Sequence, residues 1–327
     1  MRTKRWPETL AAVDPNPEEL DDPSAEVMRV VVHGEHVFFF LWCWDMSAEG
    51  PQVSVLFRAP LSFDADAVRL ASIRSEMVDL ARYDGALFAL ENGVDAEGGF
   101  GAVHRLSRDA TVPASTVRFK LGKVFKTLGH GADGQLYAAG NAIFTFDGAT
   151  WRARLTPKDG VVQAIAGAGS LTAAVGDDGL VLTLDRHEPR LVAHDGATFE
   201  GVFVHADGNV SVAGRDGCFE GPLERLTSLD APAASFNDCV SFQGKTYWSA
   251  AGDEGVGGLY VQNGRKLGLV FEDGSCFRLT ATDRYLFAAT DFGVVRYDGE
   301  TWKPLYFDYD ADASVWKVTR TPPADDE

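Results

Sequence analysis

The sequence predicts an all-β protein, a seven-bladed β-propeller of four-stranded antiparallel blades. Three observations predict it. First, a tight turn launches a short apolar strand seven times, at His33-Gly34, Asp84-Gly85, Asp133-Gly134, Ala168-Gly169, Asp207-Gly208, Gln243-Gly244 and, without glycine, Thr282-Asp283. Second, these landmarks are separated by 51, 49, 35, 39, 36 and 39 residues, close to the roughly 40–50 residues of one four-stranded blade. Third, two distant segments superpose as sequence: Leu136-Tyr137-Ala138-Ala139-Gly140 with Ile143 to Trp151, and Leu286-Phe287-Ala288-Ala289-Thr290 with Val294 to Trp302. Each ends in Asp-Gly-x-Thr-Trp, a hairpin turn whose Trp begins the outer strand.

The elements follow in chain order. Residues 1–26 hold Pro7, Pro15, Pro17 and Pro23 among acids and read as an arm, because proline lacks the donor and the freedom that regular structure needs. Trp6 and Leu10 are its candidate anchors. From residue 27 to 320 the pattern is strand and turn, read as one propeller domain. The run Val37-Phe38-Phe39-Phe40-Leu41-Trp42-Cys43-Trp44 is apolar throughout, as expected of an inner strand covered on both faces. Short helices are expected at Asp64–Leu70 and Ala71–Leu80, in the extra length behind the two long steps. Looser copies of the repeat follow at Leu180–Asp185, Gly217–Gly221 and Leu259–Gly264. The alternating segment Ala313–Arg320 reads as one strand more than blade 7 requires, and it is expected to pair with the first blade and close the ring, since an open edge invites unwanted pairing. The stretch near Met28 is the alternative closer, and residues 321–327 form an acidic tail.

Composition narrows the function. With 45% apolar residues, 34 Gly and 21 Phe, the chain can build a long core with many turns. Its opening, Met1-Arg2-Thr3-Lys4-Arg5-Trp6, runs into Pro7-Glu8-Thr9 where a signal peptide needs an apolar stretch, and no run is long enough for a membrane helix. A soluble, cytoplasmic monomer is expected. The four cysteines, Cys43, Cys218, Cys239 and Cys276, show no zinc spacing and read as buried thiols. Net charge is −18, of which the two ends carry part, leaving about −11 on the blades. A surface of this sign repels nucleic acid and anionic lipid and draws basic partners.

The Phe-Asp-Gly-x-Thr-Trp and Tyr-Asp-Gly-x-Thr-Trp hairpins resemble the repeats of the WD-repeat, kelch and Asp-box propellers, over about residues 27–320. The resemblance implies the fold. Asp-box repeats read Ser-x-Asp-x-Gly-x-Thr-Trp, whereas here Asp147 abuts Gly148 and Asp298 abuts Gly299. The Gly-His and Trp-Asp dipeptides of WD repeats are absent at the expected places. The arginine cluster and Tyr/Glu pair of sialidase chemistry are not found.

Loops joining the second and third strands of propeller blades emerge on one end. Here they are read as carrying Asp45 and Glu49, then Glu91, Asp95 and Glu97, then Asp177 and Asp178, Asp216, Asp253 and Glu254, and Asp291. Tight turns alone demand Asp, but the doubled acids Asp177-Asp178 and Asp253-Glu254 exceed that need. Trp44 and Met46 stand beside them as a possible aromatic anchor. No catalytic residue and no resident metal is assigned: His33-Gly34-Glu35-His36 lacks a third ligand, and His104, His130, His187, His194 and His205 are scattered. The reading is a non-catalytic propeller whose acidic face binds a basic protein, with a toxin domain held by a bacterial immunity-type inhibitor as the narrower expectation. The alternatives are a lactonase-like hydrolase with Ca²⁺ held by Asn141, Asn209, Asn237 or Asp238, and a sensor or scaffold domain.

Overall fold

The computed structural model describes residues 23–46, 53–73, 75–95, 98–107, 113–119, 124–157, 160–184, 190–191, 197–252 and 256–323. The chain forms two compact units, the first of residues 1–122 with 285–327 and the second of residues 123–284.

Seven antiparallel sheets follow one another along the chain. Blade 1 is β1 (Pro23–His33), β2 (His36–Asp45), β3 (Val53–Pro60) and β4 (Val68–Ile73), and blade 2 is β5 (Glu76–Tyr83), β6 (Ala86–Asp95), β7 (Gly98–Leu106) and β8 (Pro113–Arg118). Blade 3 is β9 (Phe125–His130), β10 (Leu136–Gly140), β11 (Ile143–Phe146) and β12 (Trp151–Leu155), and blade 4 is β13 (Val162–Ala168), β14 (Leu171–Gly176), β15 (Val181–Thr183) and β16 (Arg190–Leu191). Blade 5 is β17 (Phe199–Val204), β18 (Val210–Gly214), β19 (Gly217–Gly221) and β20 (Thr227–Ser228), and blade 6 is β21 (Ser235–Phe242), β22 (Lys245–Ala251), β23 (Gly258–Asn263) and β24 (Lys266–Phe271). The seventh sheet has five strands, β25 (Cys276–Ala281), β26 (Leu286–Thr290), β27 (Gly293–Tyr297), β28 (Trp302–Asp310) and β29 (Val315–Thr319).

All seven landmark turns lie between the first and second strands of their blades, where the sequence placed them. Gly34 takes φ 61° there, a left-handed conformation that a residue with Cβ adopts only with strain. The second strands are buried on both faces, with small pairs such as Ala138-Ala139, Ala173-Ala174 and Ala288-Ala289. Small side chains let neighbouring sheets pack closely. The core accordingly lies between blades: Phe38, Phe40 and Leu56 meet Met77, Leu80 and Leu87 between blades 1 and 2, and Ala173 and Val175 meet Val202, Val204 and Val212 between blades 4 and 5.

Four expectations are corrected. Among the described residues of 64–80 there is no helix; β4 and β5 take up most of them, because Val68 to Ile73 and Glu76 to Tyr83 gain ladder partners in two different sheets. The first strand begins at Pro23, inside the stretch read as an arm. The Phe-rich run is the second strand of blade 1, between β1 and β3. The C-terminal strand pairs with β28 of its own blade, from Tyr306↔Thr319 to Asp310↔Val315, and not in the sheet of blade 1. The physical reason is local: a short turn after Asp310 folds β29 back, and Trp316 packs on Phe307 and Tyr309. Blade 1 is reached only at the margin, where Ala67 N donates to Val318 O and Arg320 N donates to Asp66 Oδ1. Trp6 and Leu10 lie outside the described residues.

The two Asp-Gly-x-Thr-Trp hairpins are built alike. Asp298 Oδ1 accepts from the backbone N–H groups of Glu300 and Thr301, and its Oδ2 accepts from Thr301 Oγ1. Asp147 does the same with Ala149 and Thr150. The aromatic residues flanking each turn stack, Tyr297 on Trp302 at 4.2 Å and Phe146 on Trp151 at 5.1 Å. The motif is therefore a turn lock. The Thr301 backbone N–H, the Thr301 hydroxyl and the Glu300 N–H, with Arg296 nearby, hold the Asp298 carboxyl at about 2, below its ordinary 3.8. A depressed carboxylate stabilises the folded chain above its unfolded value, and that contribution is lost as pH falls through the folded one. Asp298→Asn is expected to lower the urea midpoint near neutral pH, with the gap from wild type closing between about pH 4 and pH 2. A gap that stays constant across that window would show that the charge has no part in the lock.

Candidate functional site

The inner strands position the site. In β1, β5, β13, β17 and β21 the ladder slips by one residue at the same place, between Val27 and Arg29, Met77 and Asp79, Val162 and Ala164, Phe199 and Gly201, and Phe236 and Asp238. Such a bulge leaves one residue unpaired and turns the strand, so that side chains re-aim. In the second unit the bulged residues reach their neighbours. Gln163 Nε2 donates to Asp177 Oδ1 at 3.0 Å, and Asn237 Nδ2 donates to Cys276 O at 3.0 Å. Arg215 Nε donates to Glu200 Oε1 at 3.0 Å.

The sequence-expected acids separate into groups. In the second unit, Asp177–Gly179 is a single 3-10 turn between β14 and β15, with Asp178 exposed at φ 55°. Asp216 is exposed in the equivalent loop between β18 and β19, beside the exposed Arg215. In the first unit Asp291 is exposed between β26 and β27. Asp45 and Asp95 close β2 and β6. Glu49, Glu97, Asp253 and Glu254 lie outside the described residues. Trp44 is half-buried, packs against Trp42 with the rings tilted by 42° and donates Nε1–H to Met46 Sδ, and Met46 is 63% exposed.

Glu91 is a correction. It does not sit in a loop: β6 runs on to Asp95, so Glu91 is paired within the sheet and is 1% exposed. Its Oε2 lies 2.7 Å from Nε2 of the fully buried His104, whose Nδ1 lies 2.8 Å from Thr116 Oγ1. Both bonds are satisfied when Nε2–H donates to the carboxylate and the hydroxyl donates to Nδ1. Alternation along β6 puts Glu91 on the face of Leu87 and Ala89, toward the core shared with blade 1. A carboxylate buried there cannot meet a partner. Sequence reasoning missed the pair because Glu91 and His104 meet only through the β6–β7 register.

The residues considered for Ca²⁺ are not gathered. Asn141 sits in the turn between β10 and β11, where its Oδ1 accepts from Val124 N, and Asn209 sits at the opposite end of its blade, where its Nδ2 donates to Asp207 Oδ2. Asp238 spends its oxygens on the N–H groups of Cys239 and Leu279. Among the described residues no three His, Cys, Asp or Glu side chains converge as a metal site. The four cysteines are buried thiols outside any disulfide, and burial pushes the thiols of Cys43, Cys218 and Cys239 up. Among the described residues no helix is long and apolar enough to cross a membrane.

A cation of the second unit is held among its inner strands. Arg278, on β25, extends beside the inner strands of blades 5 and 6, where its Nη1 donates to Glu200 O at 2.9 Å and to Asn237 O at 3.1 Å. Glu200 and Asn237 are the bulged residues, so the bulges supply the carbonyls that hold the guanidinium.

Seven consecutive four-stranded meanders, with one added edge strand, make this chain a seven-bladed β-propeller. Solved structures agree on the fold. The chain is similar to the computationally designed Ika8 protein, at 11% identity and TM-score 0.59 over 90% of this chain and 96% of that one. It is similar to the propeller domain of the Trilobed protease from Pyrococcus furiosus, at 11% identity and TM-score 0.54 over 86% and 95%. A prolyl endopeptidase matches at 13% identity and TM-score 0.57, over 94% of this chain and 52% of its own. No protein-family model matches the sequence, and no curated protein is similar to it.

Proposed function

We propose that this propeller is a non-catalytic binding protein whose second-to-third-strand loops receive a basic protein partner. The observation that carries the reading is in the second unit: the equivalent loops of blades 4 and 5 both present exposed carboxylates, Asp178 and Asp216, that take no part in holding their turns. Asp177 is kept beside them by Gln163, and the next loop in sequence carries Asp253 and Glu254. Charges of one sign on neighbouring loops speed encounter with a cationic surface and select against acidic ones. Within this class we favour an immunity-type inhibitor in the bacterial cytoplasm that neutralises a basic toxin domain as a monomer. Its need is for charge complementarity and a rigid scaffold.

The test is capture from the native host with wild type and with the fourfold variant Asp177→Lys, Asp178→Lys, Asp253→Lys, Glu254→Lys, followed by association kinetics on the captured partner. Wild type is expected to retain a basic protein, with an association rate at least tenfold above the variant's at low salt and a steeper salt dependence. Equal rates and equal salt slopes would remove the acidic loops from binding.

A further inference from the structure

We propose that Arg278 forms an oxyanion site on the inner-strand surface of the second unit, taking the carboxylate or phosphate group of a small solute. The inference is independent of the acidic loops. A guanidinium offers five N–H donors in a flat fork, and the edge formed by Nε and Nη2 matches two oxygens of one carboxylate or phosphate. Here Nη1 is fixed by two backbone carbonyls, those of Glu200 and Asn237. The remaining edge, Nε with Nη2, makes no bond among the described residues.

Among the described residues no carboxylate pairs directly with this cation. Asp238 accepts from two backbone N–H groups, Cys239 N on Oδ1 and Leu279 N on Oδ2. Glu200 turns its carboxylate to Arg215. Asn237 turns its amide to Cys276 O. At the level of Asp238, the neighbouring blade carries Gly201, which brings no side chain; a Cβ there would lie 2.8 Å from Asn237 O, one of the carbonyls that hold the guanidinium. The site is thus pre-oriented and half-buried, with its bidentate edge open, and pre-orientation removes the ordering cost that a mobile surface arginine would pay on binding. On a chain of net charge −18, a small anion gains from this one cation only by direct contact, so affinity in the millimolar range is expected.

Inorganic phosphate and acetate serve as separate probes, titrated into the full chain at constant ionic strength while the Arg278 Nε–H resonance is followed by NMR. A saturable shift with either probe is expected, phosphate alone marking a phosphate site and both marking a general oxyanion site. Binding should weaken by at least about tenfold in Arg278→Gln and be partly kept in Arg278→Lys, which retains the charge without the fork. The resonance is read in wild type, so the test stands even if the variants fold poorly. Absence of a saturable shift with both probes, or equal thermal stabilisation of wild type and Arg278→Gln by the same anions, would overturn the site.

Discussion

His104→Ala is expected to destabilise the first unit by about 3–5 kcal/mol, the cost of leaving a buried carboxylate without the N–H group that compensates it. The pair is closed to water: His104 is 0% exposed and Glu91 1%. Among the described residues Glu91 Oε1 has no hydrogen-bond partner, so the imidazole is the principal group compensating that carboxylate. Removing the ring also frees Thr116 Oγ1 and opens a cavity in the core between blades 1 and 2. The companion variant separates these effects. Replacing both residues by leucine removes the charge and the need for its partner together, so the double variant should recover much of the loss. Urea unfolding followed by tryptophan fluorescence, with Trp42 and Trp44 in the adjoining blade, gives the midpoints for a double-mutant cycle. A single-variant loss under about 1 kcal/mol, or strict additivity in the cycle, would show that the couple contributes little.

Gly129→Val is expected to cost about 3 kcal/mol or more, at the upper end of overpacking penalties. Gly129 lies on β9, the inner strand of blade 3, where a Cβ would stand 2.3 Å from Ile165 O on the inner strand of blade 4. Gly167 answers it from the other side, with a Cβ position 2.2 Å from Ala132 N. Both obstacles are backbone atoms, which cannot rotate away as a side chain can, so the two strands must separate. Gly268→Ala is the control: it also lies in a strand, β24, but a Cβ there comes no nearer than 3.9 Å, to Asn263 Nδ2, and near-neutral stability is expected. Thermal unfolding of both variants against wild type decides the matter, and equal melting temperatures for Gly129→Val and wild type would show that the strands tolerate the approach.

Neither of these positions was legible in the sequence as what it is. Gly129 falls in Thr127-Leu128-Gly129-His130, with no turn signal around it, and its role exists only where β9 meets β13. Glu91 reads in the sequence as a loop acid, but cross-strand pairing with Ala102 carries β6 past it. Arg278 belongs to no motif or repeat landmark of the sequence. It touches the backbone of Glu200 and Asn237, 78 and 41 residues earlier in the chain.

The Asp-Gly-x-Thr-Trp hairpins were legible both as position and as structure, since every hydrogen bond of the turn lies within three residues of Asp147 or Asp298. The same holds for the seven strand-launching turns. The sequence by itself determined the blades: period-two alternation and turn residues are local, and a strand and its hairpin partner are close in the chain. Tertiary structure decided the bulges of the inner strands, the pairing of β29 with β28, the buried Glu91–His104 couple and the Arg278 clamp, because each depends on which backbone atoms distant segments bring within hydrogen-bonding reach.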